Sequence, residues 1–140
     1  MEDEILDLKA LRVEPDGIVP LHAPLSLSAH VVLKRPLPAA SWRIVYEADF
    51  TNKRHVIPVF DGPVASLGAG EHAFHHAVDQ IRTEGLKPRL LLQVGVLKLM
   101  LLDRSGPEPV VVASINMVTQ VSKDPANPDA LLRNIISPMD

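Results

Sequence analysis

The chain has 140 residues, 46% of them apolar and 22% charged, with a formal net charge of -3 at pH 7. That is the size and balance of one domain spanning 1–140 that buries its own core, and it excludes a disordered chain or a coiled coil. With no cysteine, a disulfide framework, a thiolate zinc site and a thiol nucleophile are excluded together, and the acidic balance gives no electrostatic reason to expect a nucleic acid as partner.

Met1 is followed by Glu2, Asp3 and Glu4, the reverse of the positive start of a secretory signal, so an intracellular protein is expected. Ile5 to Val13 is the first candidate strand, closed by the turn signal Glu14-Pro15-Asp16-Gly17. The clearest period follows: Leu25, Leu27, Ala29, Val31 and Leu33 alternate with Ser26, Ser28, His30 and Val32, which predicts a strand with one buried face. After Pro36-Leu37-Pro38, Ser41 to Ala48 repeats the pattern, with Trp42, Ile44, Tyr46 and Ala48 on one side. His55 to Phe60, Glu71 to Val78, Leu90 to Leu102 and Val110 to Val121 complete the strands, with turns at Asp61-Gly62-Pro63, Gly68-Ala69-Gly70 and Asp103 to Pro107. Two helical pieces are expected. One is a short turn over Asp79 to Glu84; the other is Asp129 to Ile136, started by Asn127 as N-cap with Pro128 behind it and stopped by Pro138.

Thirteen prolines are too many for a helical protein of this length. About seven short strands between turns predict an all-β fold: an immunoglobulin-like two-sheet sandwich with a short C-terminal helix or turn. Leu90 to Leu102 is too short to span a membrane and is interrupted by Gln93 and Lys98, so it reads as a buried strand.

Catalytic and ligand-binding patterns are sparse. His72, His75 and His76 lie beside Glu71, but on a strand His72, Phe74 and His76 share one face while His75 points to the other, and no third ligand is near; the metal site is expected to be absent. There is no Gly-x-Ser-x-Gly elbow and no serine obviously paired with a base. Gly68-Ala69-Gly70 lacks the lysine and the strand-to-helix context of a phosphate loop, so no cofactor is expected. Asp49 and Asp61, at strand ends, read as solvated carboxylates rather than an acid-base pair. Trp42 and Tyr46 read as core. The reading is of a protein that is not an enzyme.

The informative feature is Leu90 to Val121, apolar on both faces of a long hairpin. A sandwich covers only one face of each sheet. Either loops or the C-terminal segment lie over the other face, or that face is left for a partner.

The order of elements resembles the anti-silencing-function histone chaperones. The residues that carry the resemblance are Leu25-Ser26-Leu27-Ser28-Ala29 before Pro36 to Tyr46, then Gly62-Pro63-Val64 and Gly70-Glu71-His72-Ala73-Phe74, then Val94-Gly95-Val96, the turn at Arg104 to Gly106, and Leu132-Arg133-Asn134-Ile135-Ile136. The resemblance implies an immunoglobulin-like sandwich whose concave face binds a core-histone pair and whose other edge receives partner peptides by strand pairing. It puts partner contacts at Val96, Lys98, Met100, Val112, Ser114 and Asn116. The family's central apolar contact falls at Lys98, its arginine at Val112 and its tyrosine at Asn116; the acidic pair for co-chaperone peptides falls at Pro38 and Ala39. The final strand that pairs with a histone tail would lie beyond Asp140.

The expected function is a non-catalytic protein-binding module of the anti-silencing-function type, in nucleus or cytoplasm, with core histones as first candidate cargo. It is expected to bind neither nucleic acid nor membrane directly. The alternative is a structural subunit or adaptor of a larger assembly, for example cytoskeletal or ciliary, that holds no histone.

Overall fold

In a computed structural model that describes residues 5–50, 53–81 and 94–138, the alternating segments become strands of two antiparallel sheets, and no helix occurs among the described residues. The smaller sheet orders β1 (Leu6–Glu14), β3 (Leu25–Leu33) and β7 (Gly70–Val78) with β3 central. The larger runs β2 (Ile18–Pro20), β10 (Asn127–Ile136), β9 (Val110–Asp124), β8 (Val94–Asp103), β4 (Leu37–Phe50) and β5 (Lys53–Asp61), with β6 (Ala65–Leu67) also paired to β4. The two-sheet, all-β architecture is the one expected.

β3 shows why the pattern is so legible. Leu25, Leu27, Ala29, Val31 and Leu33 are all buried while the residues between them are half-buried. Sheet pleating sends that set to one side, where it meets Ile44, Tyr46, Leu97, Leu99, Leu101 and Met117 of the larger sheet in one core cluster. Each leucine, isoleucine, valine or methionine side chain so buried contributes about 1.5–3 kcal/mol over an exposed one. At one flank the sheets are joined by aromatic rings: Trp42 and Phe74 lie 5.1 Å apart, Phe60 and Phe74 6.2 Å, and Phe60 stacks on His76 at 3.7 Å. At the other, the turn after β1 carries a cis Glu14–Pro15 bond and Gly17 at φ 77°.

Three corrections follow. Asp129 to Ile136 is not helical but the main part of β10, paired with β9 from Leu131↔Lys123 to Ile136↔Val118. Its expected helix-start residues open the strand, and the turn lies just before them at Pro125 and Ala126: the backbone N–H of Ala126 donates to Asp124 at 2.9 Å, and within β10 that of Asp129 donates to Asn127 at 3.3 Å. The chain thus returns antiparallel to β9, and Leu131, Arg133 and Ile135 face inward in period two. Second, Asp79 to Ile81 form no helical turn, and 82–84 lie outside the described residues. Third, two strands escape a periodicity search because each is three residues long, β2 and β6. Of the predicted strand Leu90 to Leu102, the described part begins at Val94.

The core position of Tyr46 has a measurable consequence. It is the single tyrosine of the chain, 1% exposed, and burial pushes its hydroxyl from 10.0 up to about 12. A raised folded-state value means the unfolded chain ionises first. The stabilising contribution is whole below pH 10 and is lost as pH climbs toward 12, on the order of 2–3 kcal/mol. Urea midpoints measured from pH 9 upward are expected to fall more steeply for the wild type than for Tyr46→Phe. Parallel profiles would refute the assignment.

Candidate functional site

Pleating divides the larger sheet into a core face and an outer face, and paired residues on the outer face form rows across the strands. At one end Ile18, Asn134, Gln120 and Val94 follow one another across β2, β10, β9 and β8. The next row is Ile136, Val118, Val96, Glu47 and Val56, from β10 to β5. Then come Asn116, Lys98, Val45 and Pro58, and after them Ser114, Met100, Arg43 and Asp61. Ser41 and Leu102 close the face.

Of the six positions expected to contact a partner, this face brings together Val96, Lys98, Met100, Ser114 and Asn116. Val112 is different. The β8–β9 register shifts between Leu101↔Ala113 and Leu102↔Val111, so Val112 is the unpaired residue of a bulge and packs against the core cluster. A one-residue slip reverses every side chain beyond it, and Val111, 51% exposed, is the residue opposite Leu102.

Lys98 is no stray charge in a dry contact. Its ammonium lies 3.0 Å from the Glu47 carboxylate, and the two side chains are only 23% and 15% exposed. Glu47 alternates outward on β4, a signal visible in the sequence; that β4 lies beside β8 was not. Beside this pair Val45 is 5% exposed although it sits outside the core cluster. Ser114 donates its hydroxyl to the Asn116 side-chain oxygen at 2.7 Å.

The apolar part of the face lies in the two rows next to that of Lys98, on β2, β10, β9 and β8. Ile18, Val94, Val118 and Ile136 are 68%, 51%, 43% and 39% exposed, with Val96 half-buried among them. Of these only Val96 was expected at a partner contact. The C-terminal segment, one expected cover for this face, extends the sheet sideways as β10 instead.

At the opposite corner is a polar cluster. Asp61, expected to be simply solvated, receives Arg43 through Nε and Nη2 at 3.4 Å each and Arg104 through Nη2 at 3.2 Å, while Arg104 Nε donates to Ser41 at 2.9 Å. The neighbouring Asp103 carboxylate accepts from the Ser105 backbone and hydroxyl, which, with Arg35 nearby, hold it below its usual value.

The histidines take the expected alternation. His72, Phe74 and His76 face inward and His75 outward; the His72 ring meets the Gly68 carbonyl at 2.7 Å. His76, stacked on Phe60, is held below its ordinary value by burial and by His75. On the outer face of the smaller sheet His30 lies 3.0 Å from Glu71. One pairing was not expected: Ser28 and His75, opposite one another on β3 and β7, are 2.7 Å apart through the hydroxyl and Nδ1. The contact is exposed, and Glu71, the neighbouring carboxylate, is turned to His30 rather than to His75. Among the described residues no group of three His, Cys, Asp or Glu is placed to hold a metal ion, and no helix is long and apolar enough to cross a membrane.

At Pro38 and Ala39, where the resemblance puts an acidic pair, β4 begins with an exposed proline and a half-buried alanine beside β6. Neither family models nor curated proteins give a match to this chain.

Proposed function

We propose that this chain is a non-enzymatic binding module that receives an apolar segment of another protein on the outer face of its larger sheet. The observation that carries the reading is the group Ile18, Val94, Val96, Val118 and Ile136, aliphatic side chains from β2, β8, β9 and β10 gathered on one face and left open. Burying them in a contact is favourable at about 25 cal/mol per Å², and exposed apolar side chains gathered on one face mark interaction sites in folded proteins. A sheet face offers side chains, not free backbone donors and acceptors. The segment it receives therefore has its backbone bonded within itself, as a helix does.

Core histones are the first candidate cargo, on the resemblance to the anti-silencing-function chaperones. The second reading is a structural subunit or adaptor of a larger assembly, cytoskeletal or ciliary for example. It is favoured by the replacement of the family's contact chemistry with a Lys98–Glu47 ion pair and an inward-facing Val112.

Titration of purified core histones in moderate salt, with Val118→Glu in parallel, separates the readings. A carboxylate forced into an apolar contact is expected to weaken binding at least tenfold, with an unchanged thermal midpoint because Val118 is 43% exposed. Histone binding by the wild type that Val118→Glu abolishes supports the chaperone reading. No histone binding at micromolar concentration, with a multi-subunit complex recovered from native extract by the wild type and not by the variant, leaves the adaptor reading. Partners retained equally by both proteins would sink the face itself.

A further inference from the structure

The polar corner of the same face specifies its partner further. Asp61 is shared by both guanidiniums, which leaves one unit of positive charge in excess. Arg43 and Arg104 are 31% and 26% exposed, and Asp61 58%. The hydrogen bonds are longer than those of a tight fork-to-fork pair, which run about 2.7–2.9 Å, against 3.2 Å and 3.4 Å here. Each guanidinium has five donors, and the bonds to Asp61 and Ser41 use only part of them.

On this face Lys98 is held by Glu47 at 3.0 Å, and beside the corner the Asp103 carboxylate accepts from Ser105 with Arg35 near it. The formal charge of the whole chain is -3, so general attraction does not bring an acidic partner here. What remains is a local, half-shielded pair of arginines, and beyond about 8 Å the rest of the chain is screened at physiological salt.

We propose that Arg43 and Arg104 form a carboxylate-reading site, which takes an Asp or Glu side chain of the same partner segment whose apolar residues cover Val96, Val118 and Ile136. This rests on the binding face proposed above and deepens it. Arg43 is four residues along β4 from Glu47, which is paired with Val96, so the two contacts lie about 14 Å apart. That is roughly nine residues of helix at 1.5 Å each, and since a helix turns about 100° per residue, the nearest position on the same helix face is about eleven residues on, about 16.5 Å away. The partner is an amphipathic helix laid diagonally over the sheet, with a carboxylate about three turns from the apolar residue that meets Val96. Asp61 competes with that carboxylate for the guanidiniums and occupies them while the site is empty.

The competition makes the test discriminating. Two designed helical peptides share one apolar stripe and carry either Glu or Gln eleven residues beyond its central leucine, on the same helix face; binding to the full chain is followed by calorimetry and amide shifts. The Glu peptide is expected to bind wild type about tenfold tighter than the Gln peptide, with the difference shrinking as salt rises. Asp61→Asn, at an exposed site, is expected to tighten the Glu peptide severalfold and leave the Gln peptide unchanged. Arg43→Gln should erase the preference. Equal binding of both peptides at the apolar face overturns the carboxylate site and leaves the face standing, as does weaker Glu-peptide binding by Asp61→Asn. Binding of neither peptide overturns the face and this inference with it.

Discussion

Replacing Gly95 with alanine is expected to cost about 3 kcal/mol and to lower the thermal midpoint by roughly 10 °C, although it adds a single methyl group. Gly95 lies on β8 opposite Ala48 and Thr119, with its missing side chain toward the core. The ring of Tyr46 passes through that space. A Cβ built on Gly95 collides with the Tyr46 hydroxyl, sits 2.5 Å from its Cζ and 2.9 Å from the Glu47 carbonyl oxygen. The ring has no room to yield, since Tyr46 is 1% exposed and packed in the core cluster. The backbone must therefore move in the strand pair β4–β8 that also aligns Glu47 with Lys98.

A double-mutant cycle isolates the cause. In a Tyr46→Leu background the same alanine is expected to cost less than about 1 kcal/mol, the remainder coming from the Glu47 carbonyl, so the coupling is about 2 kcal/mol. Urea unfolding with an unchanged m-value is the measurement. If alanine costs the same in both backgrounds, the ring is not what excludes the methyl. Gly95 belongs to the Val94-Gly95-Val96 segment on which the family resemblance partly rests, and its need here is steric.

The fold was legible where one face is buried and the period is uninterrupted, as in β3 and β4, where alternation alone picks out Leu25 to Leu33 and Ile44, Tyr46 and Ala48. It was not legible where local signals serve two structures. Asn127, Pro128 and Asp129 are good first-turn residues for a helix, but antiparallel pairing with β9 decides the outcome, and tertiary contacts override local preference. Leu131-Leu132 and Ile135-Ile136 suit either period in so short a stretch.

The candidate site divides along similar lines. That the β8–β9 hairpin leaves apolar side chains on its second face could be inferred from composition. Which side chains these are depends on neighbours distant in sequence. Lys98 looked unpaired until β4 brought Glu47 beside it, Val112 looked outward until the bulge turned it in, and Ile18 joins the patch only because a three-residue strand pairs with β10. Arg43, Asp61 and Arg104 converge from β4, the end of β5 and the turn after β8, and no spacing in the chain announces them.

Arg133 offers the other large effect. Arg133→Met is expected to cost about 3–5 kcal/mol despite its similar length and better hydrophobicity. Arg133 is 1% exposed on the inward face of β10. Its Nη1 donates to the carbonyls of Leu21 and Ala23, both at 2.8 Å, and Nη2 to that of Pro24 at 3.4 Å. Its Nε finds no acceptor among the described residues, and burial holds the guanidinium below its ordinary value.

Replacing buried ion pairs with apolar residues is often neutral or stabilising, because both charges leave together. Here the acceptors are backbone carbonyls that no substitution at 133 removes. Methionine therefore strands oxygens that the guanidinium had drawn in, and the segment from Leu21 to Pro24 loses these side-chain bonds to β10 while keeping the Leu21 N–H bond to the Leu131 carbonyl. Since that segment joins β2 to β3, the loss should appear first as faster amide exchange in β2 and at Leu21, ahead of global unfolding. Arg133→Lys keeps the charge but has a single ammonium in place of the fork, and is expected to recover less than half of the stability. A methionine variant as stable as wild type would mean that those carbonyls reach water without the arginine. The buried charge would then contribute nothing to holding the β2–β3 connection against the larger sheet.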